Sequence, residues 1–171
     1  MIISLLGYMG SGKSHISKNL SQKINFKLID LDHQISEEHQ LSIPEIFEKR
    51  GEIYFRKEEK RILEELLNSE ENLVLSLGGG TPVYYENMNI INEKSKSFFL
   101  RASVNTLTNR VLLQKNSRPL ISKLEDSDIP EFIAKHLFER NPYYSKAHFT
   151  IDTDSKNAVE VSDEITKLLQ I

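Results

Sequence analysis

The segment GYMGSGKS, residues 7–14, constrains the fold of this chain more than any other feature. It matches the pattern G-x-x-x-x-G-K-[ST] and follows a short apolar run, Ile2–Leu6, that is typical of a buried strand. Residues 14–24 carry apolar side chains at four-residue spacing and predict a helix. A strand, a glycine-rich turn and a helix in this order are the setting in which such a loop binds phosphate groups.

Each residue type in the loop serves phosphate binding. Gly7, Gly10 and Gly12 allow backbone conformations that other residues avoid, and their N–H groups can face an oxyanion. Lys13 places a positive charge at the β- and γ-phosphates, and Ser14 offers a hydroxyl to Mg²⁺. The N-terminus of the following helix adds the positive end of its dipole. The loop therefore predicts a site for a nucleoside triphosphate.

The rest of the chain alternates strand and helix patterns. Further strands are predicted in FKLIDLD, NLVLSLGGG, SFFLRA and HFTIDT. Amphipathic helices are predicted over residues 52–67, 84–92, 129–144 and 158–169, and SIPE at 42–45 has the form of a capping box that starts a helix ending at Gly51. This order indicates one α/β domain over residues 1–171, with a parallel sheet and helices on both faces.

In such a sheet, ligands bind beyond the carboxyl ends of the strands. That rule places the phosphate loop, the DLD segment and the LGGG segment at one edge. Asp30 and Asp32 then lie beside Mg²⁺ and a nucleotide, where one carboxylate can orient the water shell of the metal. The other can accept the proton of an acceptor hydroxyl.

Three glycines in a row, Gly78–Gly80, cost conformational entropy and are best explained where the backbone approaches a ligand closely. Arg56 and Glu59 lie at i and i+3 on the long helix, so they can pair with each other. Alone, such a pair is typical of a solvated helix surface.

Three more arginines are candidates for the site. Arg118 lies in NSRPL within a polar loop of residues 115–128, where it could close over a transferring phosphoryl group. Arg110 follows the fourth strand, and Arg140 lies in ERNPYYSKA. Taken singly, each is more typical of protein surface than of a site.

The whole set resembles the shikimate kinase family over nearly the full chain. The matching segments, in the order of the family, are GYMGSGKS, LIDLDHQISEEHQLSIPEIFEKRGEIYFRKEE, VLSLGGGTP, RPL and ERNPYY. The resemblance implies a P-loop kinase fold with sheet order 2-3-1-4-5, ATP as phosphoryl donor and the 3-hydroxyl of shikimate as acceptor. It also implies a shikimate-binding region at about 32–60 and a mobile lid at about 113–128.

The resemblance further implies roles for individual residues. Asp32 would hold the acceptor hydroxyls and act as the base, and Glu59 would orient Arg56. Asp30 would reach one Mg²⁺ per subunit through water, and Ser14 would ligate it. Shikimate would be held by Asp32, Arg56, Gly78, Gly79, Gly80 and Arg140. ATP would be held by Gly10, Ser11, Gly12, Lys13, Ser14, His15, Arg110 and Arg118, with Arg110 stacked on adenine and Arg118 serving as the lid arginine.

Composition limits the partners. A net charge of −3 and an isoelectric point near 6.0 argue against nucleic acid. The absence of a long apolar segment argues against a membrane span, and the absence of cysteine fits a reducing compartment. We therefore expect a cytoplasmic protein that binds small molecules, and, since nothing in the sequence suggests a coiled coil, we take a monomer as the default.

Two alternatives remain at this stage. One is another small-molecule kinase of the same fold, acting on gluconate or a nucleotide. The other is a nucleotide-dependent switch without small-molecule chemistry. The DLD segment and the arginines argue against a switch, which needs neither.

Overall fold

The computed structural model describes residues 1–115 and 120–171. Within these ranges five parallel strands form one sheet in the order β2-β3-β1-β4-β5, as predicted. The strands are β1 (Ile2–Leu6), β2 (Lys27–Asp30), β3 (Leu73–Ser76), β4 (Lys96–Arg101) and β5 (Phe149–Asp152).

Eight α-helices connect and cover the strands in the described part of the chain. They are α1 (Lys13–Ile24), α2 (Leu31–His39), α3 (Ile43–Arg50), α4 (Glu52–Leu67), α5 (Asn87–Lys94), α6 (Val104–Leu112), α7 (Ile129–Tyr144) and α8 (Ala158–Leu169). The capping box predicted at Ser42 and Glu45 is present at the start of α3. A second capping box, formed by Asn157 and Glu160, starts α8. These caps fix the points at which the chain enters each helix.

Two apolar layers lie on opposite faces of the sheet. Successive side chains of a strand point to opposite faces, so Ile2 and Leu6 of β1 join one layer while Ile3 and Leu5 join the other. The layer of Ile3 and Leu5 is covered by α1 and α8, and α4 to α7 contribute to the layer of Ile2 and Leu6. Helices therefore cover both faces of the sheet, and the loops that follow the strands lie at its carboxyl edge.

The helix predicted over residues 84–92 is displaced. A short 3₁₀ turn, Thr81–Val83, follows the glycines, and α5 begins only at Asn87. Tyr85 has a left-handed backbone, with φ of 50°, which is incompatible with a helix through that residue. The apolar spacing of this segment did not reveal the turn, which directs Tyr84 back toward α4.

None of the described helices is both long and apolar enough to cross a membrane.

Candidate active site

The carboxyl ends of β1, β2 and β3 lie side by side in the sheet. The phosphate loop follows β1, the aspartates follow β2 and the glycines follow β3. The sheet therefore gathers the three segments that the sequence placed at one edge.

The phosphate loop has the backbone that its glycines permit. Gly10 and Gly12 have φ of 82° and 94°, and Gly12 is the residue before α1. Ser11 is buried, whereas Ser14 and His15 are exposed in the first turn of α1. The ammonium of Lys13 donates to the carbonyl oxygens of Gly7 at 2.6 Å and Tyr8 at 3.1 Å. An ammonium and a helix N-terminus thus face the space in front of the loop, where phosphate oxygens would be stabilised.

The two aspartates differ in environment. Asp30 caps α2, because its Oδ1 accepts a hydrogen bond from the backbone N–H of His33 at 3.2 Å. Asp32 lies in the first turn of the same helix and is largely enclosed. Burial, followed by the negative charges of Asp30 and Glu59, raises the pKa of Asp32 to about 6. A carboxylate with this pKa is matched to proton transfer near neutral pH.

The donor set fits Mg²⁺. No group of three or more His, Cys, Asp or Glu side chains that could hold a metal by itself occurs in residues 1–115 and 120–171. The available donors are the exposed hydroxyl of Ser14 and the carboxylate of Asp30. Mg²⁺ commonly takes few protein oxygens and completes its shell with water and phosphate oxygens.

A buried hydrogen-bond chain holds Arg56. Its Nη1 donates to Glu59 Oε2 at 2.7 Å, and the hydroxyl of Thr81 donates to Glu59 Oε1 at 2.7 Å. Glu59 is 1% exposed, although a charged pair at this spacing is typical of a solvated helix surface. The ring of Tyr84 covers one face of the guanidinium, with its centroid 4.0 Å from Arg56 Cζ. The pair predicted from the i, i+3 spacing is therefore an interior feature.

Each of the three glycines lies against a different charged side chain. A Cβ atom at Gly78 would lie 2.9 Å from Asp32 Oδ1, and one at Gly79 would lie 3.2 Å from Arg140 Nη1. A Cβ atom at Gly80 would lie 2.7 Å from Arg56 Nη2. The glycine segment thus brings Asp32, Arg56 and Arg140 together.

Helix α7 positions Arg140 by contacts on either side. One turn later, the hydroxyl of Tyr144 donates to the carbonyl of Gly79 at 2.5 Å. One turn earlier, His136 Nδ1 is hydrogen-bonded to the hydroxyl of Tyr8 at 2.9 Å. Within the described residues no carboxylate forms an ion pair with Arg140, whereas Arg56 is paired with Glu59. Arg140 can therefore accept an anionic partner from outside the chain.

Arg110 joins the phosphate loop to the end of β5. Its Nη1 donates to the carbonyl of Gly10 at 3.1 Å, and its Nη2 donates to the carbonyl of Thr153 at 2.9 Å. These bonds lie in the plane of the guanidinium, so its faces are the surfaces that could meet an aromatic base.

Arg118, the predicted lid arginine, lies outside the described residues, and the predicted lid includes residues 116–119, which are also outside them. The prediction for Arg118 stays a prediction.

Several polar contacts of the site were not predicted. Thr81 follows the glycines directly, and Tyr144 lies four residues after Arg140, so the sequence contained a positional signal for both. Their partners, Glu59 and Gly79, are 22 and 65 residues away. Tyr8 and His136 are 128 residues apart, and nothing local connects them.

Comparison with known proteins decides the family. A family model described as shikimate kinase matches residues 9–170. The chain belongs to the shikimate kinase family. A protein named shikimate kinase from Flavobacterium psychrophilum is 44% identical over 168 residues, 98% of each chain. One from Flavobacterium johnsoniae is 45% identical, again over 98% of each chain.

Solved structures agree. A shikimate kinase from Bacteroides thetaiotaomicron is similar with a TM-score of 0.93 and 35% identity, covering 100% of this chain and 99% of that one. A shikimate kinase from Acinetobacter baumannii, in complex with shikimate, has a TM-score of 0.88 and 32% identity, covering 99% of this chain and 92% of that one. The predicted family and fold are confirmed, and so is the prediction that the chain is a kinase of this family.

Proposed function

We propose that this chain transfers the γ-phosphoryl group of ATP to the 3-hydroxyl of shikimate, and that the residues gathered at the sheet edge carry out the transfer. The observation that carries this proposal is the convergence of Asp32, Arg56 and Arg140 on the three glycines beside the phosphate loop. A carboxylate and two guanidinium groups at one glycine segment match an acceptor that presents both hydroxyls and a carboxylate.

On the donor side, Lys13 exchanges its two loop carbonyls for oxygens of the β- and γ-phosphates. Backbone N–H groups of residues 10–15 cradle the phosphates, and a face of Arg110 stacks on adenine. Ser14 and Asp30 would hold Mg²⁺, Asp30 through water. A bound Mg²⁺ would supply charge neutralisation at the β- and γ-phosphates.

On the acceptor side, Arg56 and Arg140 hold the carboxylate of shikimate, and Gly78–Gly80 lie along its ring. Asp32 accepts the proton of the 3-hydroxyl as the oxygen attacks the γ-phosphorus. The bond between that phosphorus and the bridging oxygen breaks, and ADP departs. Because burial and neighbouring charge raise the pKa of Asp32 to about 6, its carboxylate is ionised at neutral pH yet more basic than an ordinary aspartate.

The same proposal covers the organisation of the chain and its surroundings in the cell. The chain acts as one domain over residues 1–171, with its shikimate-binding region at about 32–60 and its lid at about 113–128. It acts as a cytoplasmic monomer without a nucleic-acid partner, and Arg118 neutralises the transferring phosphoryl group from the lid.

An ADP-release assay tests the function. The purified chain is supplied with ATP, Mg²⁺ and either shikimate, gluconate or a nucleoside monophosphate, and the phosphorylated product is identified by mass spectrometry. We expect rapid release of ADP with shikimate alone, with equimolar formation of shikimate 3-phosphate. If gluconate or a nucleoside monophosphate is turned over faster than shikimate, that compound is the substrate instead. If none of the three acceptors supports release of ADP, a nucleotide switch is favoured.

A further inference from the structure

We propose that Thr81 is a positioning residue for the acceptor: its hydroxyl holds Glu59, and through Glu59 it sets the direction in which Arg56 faces the carboxylate of shikimate. This inference rests on the proposed function and adds to it a residue that does not itself touch shikimate.

Glu59 is the middle of the chain of contacts. It is 1% exposed, and each of its two oxygens has one short partner, Thr81 Oγ1 at 2.7 Å and Arg56 Nη1 at 2.7 Å. A carboxylate only accepts hydrogen bonds, so the proton of the Thr81 hydroxyl points at Glu59. Without that hydroxyl, one oxygen of a buried carboxylate loses its partner, which favours movement of the whole group.

Thr81 can serve as a fixed point because it is itself immobilised. Its side chain is buried, its N–H donates to the carbonyl of Gly78 at 3.1 Å, and its carbonyl accepts from Asn87 Nδ2 at 2.9 Å. A Cβ atom at Gly78 would lie 3.1 Å from Thr81 Oγ1. The hydroxyl is therefore set relative to the glycine segment, which is the part of the site expected to lie along the ring of shikimate.

The other contacts of Arg56 do not fix the direction in which the N–H groups of its guanidinium point. The ring centroids of Tyr84 and Phe55 lie 4.0 and 5.0 Å from Arg56 Cζ, and ring-face contacts of this kind permit the guanidinium to slide and rotate. Glu52 is exposed, and its oxygen lies 3.7 Å from Arg56 Nε, beyond hydrogen-bond distance. The short bond from Nη1 to Glu59 is thus the contact that aims the guanidinium, and Thr81 holds its acceptor in place.

Two substitutions of Thr81 distinguish the effect of its hydroxyl from the effect of its methyl group. Thr81→Val keeps the shape and removes the hydrogen bond, whereas Thr81→Ser keeps the hydroxyl and removes a methyl group. Thr166→Val is the matched control, because Thr166 is a buried threonine of α8 whose hydroxyl donates to the carbonyl of Asp163 at 3.0 Å. Steady-state kinetics are measured for each variant with shikimate and with a shikimate analogue whose carboxylate is a neutral amide.

For Thr81→Val we expect the KM for shikimate to rise about tenfold, with the KM for ATP unchanged and kcat lowered less than threefold. Its preference for the acid over the amide should fall by about the same factor, because Arg56 is no longer aimed at the carboxylate. Thr81→Ser and Thr166→Val should both behave as the parent protein does. A general loss of packing would not change the acid-to-amide preference.

An unchanged KM for shikimate in Thr81→Val, or an equal rise for both substrates with the acid preference intact, would overturn the role of Thr81. If Thr81→Val does not fold, Thr81→Cys keeps the volume and offers only a weak donor, so the same loss of acid preference is expected of it. The parent protein is assayed first: its failure to turn over shikimate would overturn the proposed function itself. Normal turnover of the parent with an unaltered Thr81→Val would overturn this inference alone.

Discussion

The proposed donor side and the proposed acceptor side of the site are assembled in different ways. On the donor side, Lys13 bonds to carbonyls of its own loop, five and six residues away. On the acceptor side, Arg56 depends on Glu59, and Glu59 depends on a hydroxyl 22 residues further along the chain. The phosphate loop is thus a local property of one segment, whereas the acceptor site exists only after α4, α7 and the glycine segment have packed together.

The comparison predicts that substitutions on one side leave binding on the other side intact. Five predictions test that separation and the chemistry that joins the two sides.

The largest effect is expected from Lys13→Ala. Loss of the ammonium should lower kcat by about 10³-fold or more, since the charge acts on the transferring phosphate. Shikimate binding, measured by calorimetry, should be unchanged. Near-normal turnover with unaltered ATP affinity would contradict the phosphate-loop assignment.

Asp32→Asn removes the proton acceptor that links the two sides. It keeps the shape of the side chain and should lower kcat by about 10² to 10⁴-fold. The KM values for ATP and shikimate should change far less than kcat. An undiminished rate would mean that a different group takes the proton.

Arg56→Lys keeps the charge but loses the planar fork. We expect kcat/KM for shikimate to fall about ten- to a hundredfold, with ATP binding unaffected. The variant should also discriminate less between shikimate and its neutral amide. Arg61→Lys is the matched control, because Arg61 lies on the same helix and pairs with Glu58 and Glu65 at the surface. If the parent protein phosphorylates the amide as well as the acid, Arg56 does not hold a carboxylate.

Gly80→Ala tests the close approach of backbone and guanidinium. The backbone of Gly80, with φ of −87° and ψ of −21°, suits alanine, so strain in the chain is not expected. The new methyl group would displace the end of Arg56, from which it would be 2.7 Å. The KM for shikimate should rise about three- to tenfold at unchanged KM for ATP. Identical kinetics would show that Arg56 does not need its observed position.

The smallest effect concerns stability. The pKa of Asp32 is raised from 3.8 to about 6 by folding, so its ionised form is less favourable in the folded protein than in the unfolded one. This cost is fully present above pH 6 and disappears as the pH falls toward 3.8. Asp32→Asn should therefore be more stable than the parent by about 1 to 3 kcal/mol at pH 7.5, and equally stable near pH 4. Urea unfolding at both pH values measures the difference, and a less stable variant at pH 7.5 would contradict it.

The parallel sheet and the glycine loop before α1 could be predicted from the sequence alone because both depend on neighbouring residues. A strand followed by a glycine turn and Lys13 is a local pattern, and so is the alternation of strands and helices that predicted a parallel sheet, whereas the order of the strands was implied by the family resemblance. The bounds of α7 and α8 were also predicted; a proline stands in the first turn of α7 and a capping box starts α8.

The acceptor site was predicted only through the resemblance to a family. A charged pair at i and i+3 is typical of a solvated helix surface, yet Glu59 is buried, because its carboxylate is bound by Arg56 of the same helix and by Thr81 of a different segment. The helix predicted through Tyr84 and Tyr85 was wrong for a related reason: tertiary contacts hold Tyr84 against Arg56, and Tyr85 takes a left-handed conformation. Contacts across such sequence distances have no local signature.

The resting position of Lys13 has a consequence for the end of the catalytic cycle. When ADP departs, the ammonium of Lys13 does not need water as its new hydrogen-bond acceptor. The carbonyls of Gly7 and Tyr8 already lie within hydrogen-bond distance. Because these oxygens compete with phosphate oxygens for the same ammonium, we expect them to offset part of the affinity of the loop for ADP. The loop would then hold ADP less tightly than a loop whose lysine has no internal acceptor.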